Sequence, residues 1–417
     1  MNDMLDVVIA GAGPYGLSIA AHLQKTGMRF RIFGSPFRMW REHMPKGMYL
    51  KSDGFASNLS DPDGIFTLKR YCEQENIPYD DLRIPVELAT FNRYGLEFQR
   101  RFVPDLINKD VVAVDQVQGG FRVEVEGGES VLTQKLILAV GISHFANIPD
   151  QLAHLPSSFF AHSSEHHDWS FLRGRKVTTI GAGASAIGLA GILRDDGIET
   201  SIIARRNNLV FHDPPGDKPR PLLKQLRHPN SGLGPGWRSR IYSDLPQYFP
   251  YLPKKIRMRI LRTHLKPAAG WPVKPQVEGK VHQYLGKSIE KAEVLGDKVH
   301  LHLRSADGTS MVHMTDFVIA GTGYKPSVRR LKFLSSEIQA KIATVEDAPL
   351  LSQSFESSVS GLYFVGAAAA NTFGPLLRFA FGSNFTAHHI TKHLTSGGRV
   401  MTDELRSNSQ VQSEQTV

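Results

Sequence analysis

The tightest constraint on this chain is a plan that occurs twice: an apolar strand, a glycine-rich turn, and a helix that begins at once. In the first copy Val7-Val8-Ile9-Ala10 leads into Gly11-Ala12-Gly13-Pro14-Tyr15-Gly16 and then the small, apolar run Leu17–Thr26. In the second, Lys176-Val177-Thr178-Thr179-Ile180 leads into Gly181-Ala182-Gly183-Ala184-Ser185-Ala186, the run Ile187–Asp195, Gly197 and a new strand, Glu199–Ala204. One such turn is a weak signal, because glycine turns join strands to helices in many proteins that bind nothing. Two in matching context say more. The glycines allow a tight turn and a close approach to the backbone, so the amides at the helix N-terminus can hold a pyrophosphate.

The expected fold is therefore α/β, with two Rossmann-like dinucleotide-binding domains of three-layer ββα/βαβ architecture. Between the copies, Val111–Val114, Phe121–Val125 and Val131–Leu138 read as a meander of strands separated by glycine pairs, ending at Ala139-Val140-Gly141. A matching pattern returns late: Lys298–Arg304 and Met311–Met314 lead into Asp316-Phe317-Val318-Ile319-Ala320-Gly321-Thr322-Gly323-Tyr324. Gly361–Gly366 is a further strand, and Gly374-Pro375-Leu376-Leu377 opens a final helical run through His393. These breaks divide the chain into a first nucleotide domain over 1–150, a second over 151–325, a return to the first over 326–395, and a polar tail over 396–417 that is expected to be disordered.

The net charge of +9 leaves acidic partners open until it is located. Residues 207–280 carry 14 Lys and Arg against Asp213, Asp217, Asp244 and Glu278, together with half of the 24 prolines. The charge is thus a property of one basic, proline-rich insertion in the second domain. Within it, Lys254–Leu265 reads as a basic amphipathic helix with Ile256, Ile260 and Leu261 on one side. A solvated face, a membrane-surface contact and a funnel for anions all remain open for it. No nucleic-acid module accompanies the charge, so nucleic-acid binding is not expected. The apolar stretches are far shorter than the roughly 18 to 20 residues that span a bilayer, so a cytoplasmic protein without a transmembrane segment is expected. Cys72 stands alone, which excludes an internal disulfide and a paired-thiol redox centre and points to a reducing compartment. His162, His166, His167 and Asp168 invite a metal reading, but adjacent histidines project poorly onto one ion, and no metal is expected.

Taken in order, GAGPYG, Trp40, LILAVG, AHSSEHHD, GAGASA and DFVIAGTGYKP resemble flavin-dependent monooxygenases with two dinucleotide domains, the flavin-containing and N-hydroxylating enzymes, from Leu5 to His393. Gly47–Ser52 with Leu59–Pro62 is similar to the segment that passes flavin and substrate there, and to the FAD-dependent urate hydroxylase branch. The resemblance implies FAD at Gly11, Gly13, Pro14, Tyr15 and Gly16, with Ser35, Trp40, Gly141, Gly323, Tyr324, Gly366, Gly374 and Leu376 along the same cofactor. It places NADPH at Gly181, Gly183, Ser185 and Ala186, and makes Lys51 a substrate or flavin contact. It further implies that NADPH and O2 act through a flavin hydroperoxide to hydroxylate a small polar substrate that is nitrogen-containing or electron-rich.

Two positions depart from the usual nucleotide pattern. A dinucleotide fold places an acid about 20 residues beyond the first glycine to bond the ribose hydroxyls. Here that strand, Arg29–Phe33, ends in Gly34-Ser35, leaving Ser35, Arg38 or the Arg41-Glu42 pair as replacements. The second unit ends in Ala204-Arg205-Arg206, again without an acid, and an arginine there accommodates a 2′-phosphate, so NADPH is preferred over NADH. The alternatives are an NAD(P)H-dependent flavin reductase or oxidase without oxygen transfer, and a redox-responsive nucleotide-binding protein whose insertion meets an acidic partner. The oligomeric state stays open.

Overall fold

The computed structural model describes residues 4–216, 221–265 and 267–396. In the first copy of the plan, β1 (Leu5–Ala10) passes through the turn into α1 (Pro14–Leu23) and returns as β2 (Phe30–Phe33), parallel to β1. Val7, Val8 and Ile9 are fully buried because layers cover both faces of the strand. Pro14 at the first helical position brings a φ already suited to the helix. α2 (Leu68–Gln74) follows, capped by the Thr67 side chain, and then α3 (Leu88–Phe102), which buries Phe91, Tyr94 and Phe98 among the rings of Phe37, Trp40 and Phe66. The meander is β3 (Val111–Val117), β4 (Gly120–Val125) and β5 (Ser130–Leu138), antiparallel throughout. β5 also runs parallel to β1 along its other edge and so joins the meander to the parallel sheet.

The second unit repeats the design. β6 (Phe160–His162) precedes β7 (Lys176–Ile180), α4 (Ala184–Asp195) and β8 (Glu199–Ala204). The insertion holds α5 (Leu222–Arg227), α6 (Trp237–Asp244), α7 (Lys254–Thr263) and α8 (Lys274–Val277), and is followed by β9 (His282–Leu285), which lies parallel to β8. Parallel neighbours need a long crossover, and the insertion is that crossover. β10 (Lys287–Leu295), β11 (Lys298–Ser305) and β12 (Ser310–Thr315) form the second meander, and β13 (Phe317–Ala320) completes a parallel sheet of order β6-β13-β7-β8-β9. After α9 (Ser336–Lys341), β14 (Thr344–Val345) and β15 (Ala348–Pro349), β16 (Leu362–Phe364) pairs with the end of β5 in the first sheet, followed by α10 (Ala370–Phe373) and α11 (Gly382–Thr395).

One buried core joins residues on both sides of the second unit, from Val7 to Phe145 and from Val328 to Leu394. Leu233, Phe249, Met258 and Leu261 of the insertion belong to this core, whereas its Ala269 and Val277 pack with Ile187 and Ile202 of the second unit. The insertion is therefore held between the two units, not carried by the second alone. Its amphipathic helix keeps two of the three expected apolar residues on the inner side, Leu261 buried and Ile260 packed against the core. Met258 and Leu261 turn inward, and Ile256 is 47% exposed.

The final helical run is broken in two. Pro375–Arg378 forms a short, tight turn, and α11 starts only at Gly382. The Tyr15 hydroxyl faces the carbonyls of Leu377 (3.1 Å) and Phe379 (2.8 Å), and this long-range bond holds the chain where a continuous helix would close its own ladder. The tail over 397–417 lies outside the described residues.

His22 on α1 couples this packing to pH. The ring is 7% exposed, bonds Ser60 Oγ at 2.9 Å and sits edge-on to His388 at 4.4 Å. Burial first, and then His388, pushes its pKa from 6.5 down to about 4. The unfolded chain takes up a proton near 6.5 and the folded chain does not, so this contribution is fully present above 6.5 and is lost as pH falls towards 4. Asp53, raised to about 6 by burial, has the opposite sign, its stabilisation fading as pH rises. The His22→Gln variant isolates the histidine. Denaturant unfolding at pH 7 and pH 5 should show the parent losing roughly 1–2 kcal/mol more than the variant; equal losses would remove His22 as the cause.

Candidate active site

Both glycine turns open onto one cavity of about 1110 Å³. Ligands of α/β sheets bind outside the carboxyl ends of the strands, and the turn after β1 stands there. Gly13, extended at φ −85°, precedes α1, and Gly183 at φ −96° precedes α4. Neither helix has a side-chain cap or an acid in its first turn, so both N-terminal amide sets are left to an anionic ligand. Gly11 shows why this turn excludes larger residues: its φ is +113°, and a Cβ would stand 2.3 Å from the Ala139 carbonyl oxygen.

Of the residues singled out in the sequence, Gly11, Gly13, Pro14, Tyr15, Ser35, Trp40, Lys51, Gly141, Ser185, Gly323, Tyr324 and Gly366 line this cavity together. The others stand behind or beside its walls. Gly16 packs on Gly11, Gly181 and Ala186 pack on Gly321, and Gly183 faces Pro267. Gly374 meets the ring of Phe249, and Leu376 is buried. Arg205 is exposed at the end of β8, and Arg206 donates to the Pro267 carbonyl at 3.2 Å.

Tyr15 is the joint of the site. Its ring lies against Gly366, its hydroxyl lies beside Gly382, and burial pushes its phenol far above the ordinary range. Trp40 meets Phe91 edge-on at 4.9 Å while also lining the cavity, so it serves as both core aromatic and wall. Tyr324 packs edge-on to His162 at 5.3 Å. His162 bonds Ser164 Oγ (2.8 Å) and the Gly323 carbonyl (3.2 Å), and His167 bonds the Met44 carbonyl (2.6 Å), so the histidine-rich stretch connects the two units.

Several wall residues escaped the sequence reading. Arg378 lines the cavity and donates to the Leu261 carbonyl at 3.0 Å. Neither Arg378 nor Lys51 forms an ion pair among the described residues, and burial lowers the pKa of both. From the insertion come Leu261, Arg262, Leu265, Pro267, Gly270, Pro272, Val273 and Gln276. Among its described Lys and Arg residues only Arg262 reaches the wall, where it pairs with Glu346. Most of the insertion's charge therefore faces away from the cavity. Asp110 is a further wall residue without a local motif. Nothing in its neighbours marks it, because its place depends on how the chain after α3 returns to β2.

A strand–glycine turn–helix unit open to a cavity, joined to a second of the same design, defines a dinucleotide-dependent oxidoreductase fold. Residues 5–219 match the family model described as pyridine nucleotide-disulphide oxidoreductase, and the chain belongs to that family. It is similar to indole-3-pyruvate monooxygenase YUCCA1 of Oryza sativa subsp. japonica, 25% identical over 212 residues, which are 48% of this chain and 47% of that protein. The chain thus spans about half the length of that curated relative. Among solved structures, reduced ornithine hydroxylase from Pseudomonas aeruginosa superposes with a TM-score of 0.74 at 16% identity, over 94% of this chain and 99% of that one. The FAD-bound cadaverine monooxygenase of Erwinia amylovora superposes with a TM-score of 0.72 at 17% identity, over 96% and 98%. These likenesses show that the two-unit fold is shared along almost the whole chain.

Proposed function

We propose that this protein is an FAD- and NADPH-dependent monooxygenase that hydroxylates a small polar substrate, nitrogen-containing or electron-rich. The observation that carries the reading is the single cavity shared by both turns. At about 1110 Å³ it exceeds the roughly 300–1,000 Å³ of a pocket for one small ligand. The residues fit the groups: uncapped amides of α1 and α4 suit two pyrophosphates, and at Gly13 a Cβ would meet nothing within 4 Å. When bound, FAD and NADPH would supply the hydride transfer and oxygen activation. The protein's part is to bind, orient and keep water out. Tyr15 ties the first turn to the segment 377–382, Leu261, Leu265 and Phe379 supply apolar wall, and Lys51 with Arg378 offers cations to the acceptor groups of a substrate. The relatives named as monooxygenases support this reading, as does the lone, buried Cys72, which leaves no paired thiol for disulfide exchange and favours a reducing compartment. The FAD domain is read as 1–150 with 326–395, and the NADPH domain as 151–325.

The test is a flavin spectrum of the purified protein, followed by NADPH and O2 consumption across amines, purines and sulfides. One hydroxylated product per NADPH is expected. A protein without flavin would refute the reading, and NADPH oxidation that yields only peroxide would select the oxidase. Cofactor choice has its own test. The double variant Arg205→Ala, Arg206→Ala should raise KM for NADPH roughly 10- to 100-fold, the size of losing charge-assisted bonds, with KM for NADH nearly unmoved. Equal effects would remove the 2′-phosphate role.

A further inference from the structure

The missing acid at the end of β2 has a counterpart elsewhere in the fold. After α3 the chain returns along that strand end: Ile107 N–H donates to the Ile32 carbonyl at 3.0 Å, and Gly34 N–H donates to the Ile107 carbonyl at 3.1 Å. This lays residues 107–110 beside Gly34-Ser35, where the acid of a dinucleotide fold would stand. Asp110 is then fixed on its far side. Its N–H donates to the Glu126 carboxylate at 3.1 Å, and its carbonyl accepts from Glu126 N–H at 2.9 Å. Among the described residues that line the cavity, Asp110 is the only carboxylate, and it shares its wall with Ser35, Arg38 and Val111.

The other replacements have their groups engaged. Glu42 is held through one oxygen by Arg38 Nε at 3.1 Å and through the other by Arg41 at 2.9 Å, and neither Arg41 nor Glu42 lines the cavity. Ser35 Oγ accepts from Arg41 at 3.1 Å. Asp110 differs. Arg38 Nη1 donates to its Oδ2, while Oδ1 takes no hydrogen bond among the described residues.

We infer that Asp110 accepts the ribose hydroxyls of the FAD adenosine in place of the absent strand-end acid, with Arg38 as the residue that positions it. The inference rests on the FAD reading of the first turn. A carboxylate suits a vicinal diol because both hydroxyls donate to it in charge-assisted bonds, and the salt bridge to Arg38 leaves one oxygen to do so.

The experiment is a titration of flavin-free protein with FAD and with the FAD analogue built on 2′,3′-dideoxyadenosine, followed by quenching of flavin fluorescence. The parent should bind FAD roughly 10- to 100-fold more tightly than the analogue. In Asp110→Asn and Asp110→Ser this preference should shrink to under about 3-fold, through weaker FAD binding and not tighter analogue binding. Arg38→Met should reduce the preference less. A parent that does not discriminate, or aspartate variants that discriminate as well as the parent, would overturn the assignment. Equal weakening for both flavins would make Asp110 a structural residue and overturn it as well. A parent that binds neither flavin refutes the FAD reading itself, which separates the two failures. Thermal unfolding of each variant shows that the comparison is made between folded proteins.

Discussion

Gly16→Ala is expected to yield a protein that purifies without bound flavin. Gly16 sits behind the first turn, where an added Cβ would lie 1.9 Å from the Gly11 carbonyl oxygen and 3.0 Å from its carbon. These are backbone atoms and cannot rotate away, so the turn must open. The amides at the start of α1 would then no longer converge on the pyrophosphate position. Overpacking of this kind costs roughly 1–3 kcal/mol, enough to lower the melting temperature without preventing folding. Far-ultraviolet circular dichroism and the flavin absorbance of the purified variant check both parts. A variant with full flavin content would show that the first turn does not carry the cofactor.

The second large effect concerns Lys51 and Arg378. A cation without a counter-charge on a cavity wall is costly to keep, more so for the half-buried Lys51 than for Arg378, whose side chain is exposed to that cavity. Burial lowers the pKa of each, and among the described residues Arg378 donates one hydrogen bond, to the Leu261 carbonyl. A substrate that brings acceptor oxygens or a negative charge would offset that cost. Lys51→Ala and Arg378→Ala should therefore each raise KM for the substrate roughly 10- to 100-fold, the range of one charge-assisted bond. Product formed per NADPH should fall with it. Arg378→Lys should recover part of the affinity, since the charge returns without the planar fork. Steady-state kinetics with oxygen and product measured together decide the matter. If KM stays and only kcat falls, the two cations do not hold the substrate.

Much of the fold was legible because its signals are local. The two strand–turn–helix units, the three meander strands of the first unit and the return of β13 all follow from short apolar runs bounded by glycine. α3 was also within reach, since Phe91, Tyr94 and Phe98 recur at helical spacing, although no motif drew attention to it. The break before α11 was not legible. It depends on the Tyr15 hydroxyl, which meets Leu377 and Phe379 from more than 360 positions away. The facing of α7 was legible only in part, for a related reason: Leu261 and Ile260 turn inward, Ile256 does not, and Met258 takes a place in the core. Isoleucines at helical spacing mark an apolar side, but which apolar side chain turns inward is set by the neighbour it packs on.

The candidate site divides along the same line. Glycine at Gly11 and Gly16 is required by the backbone of the turn, and at Gly13 it leaves open the space in front of α1, so the sequence alone established two nucleotide-type turns and their order along the chain. The tertiary structure decided that both turns face one cavity and that the insertion crosses from β8 to β9 to wall it. It also brought Arg378 beside Leu261 and returned Asp110 to the end of β2. A turn is specified by the backbone angles of a few neighbouring residues. A cavity wall is specified by where distant segments are held, and that follows from buried packing and long-range hydrogen bonds that leave no periodic trace in the chain.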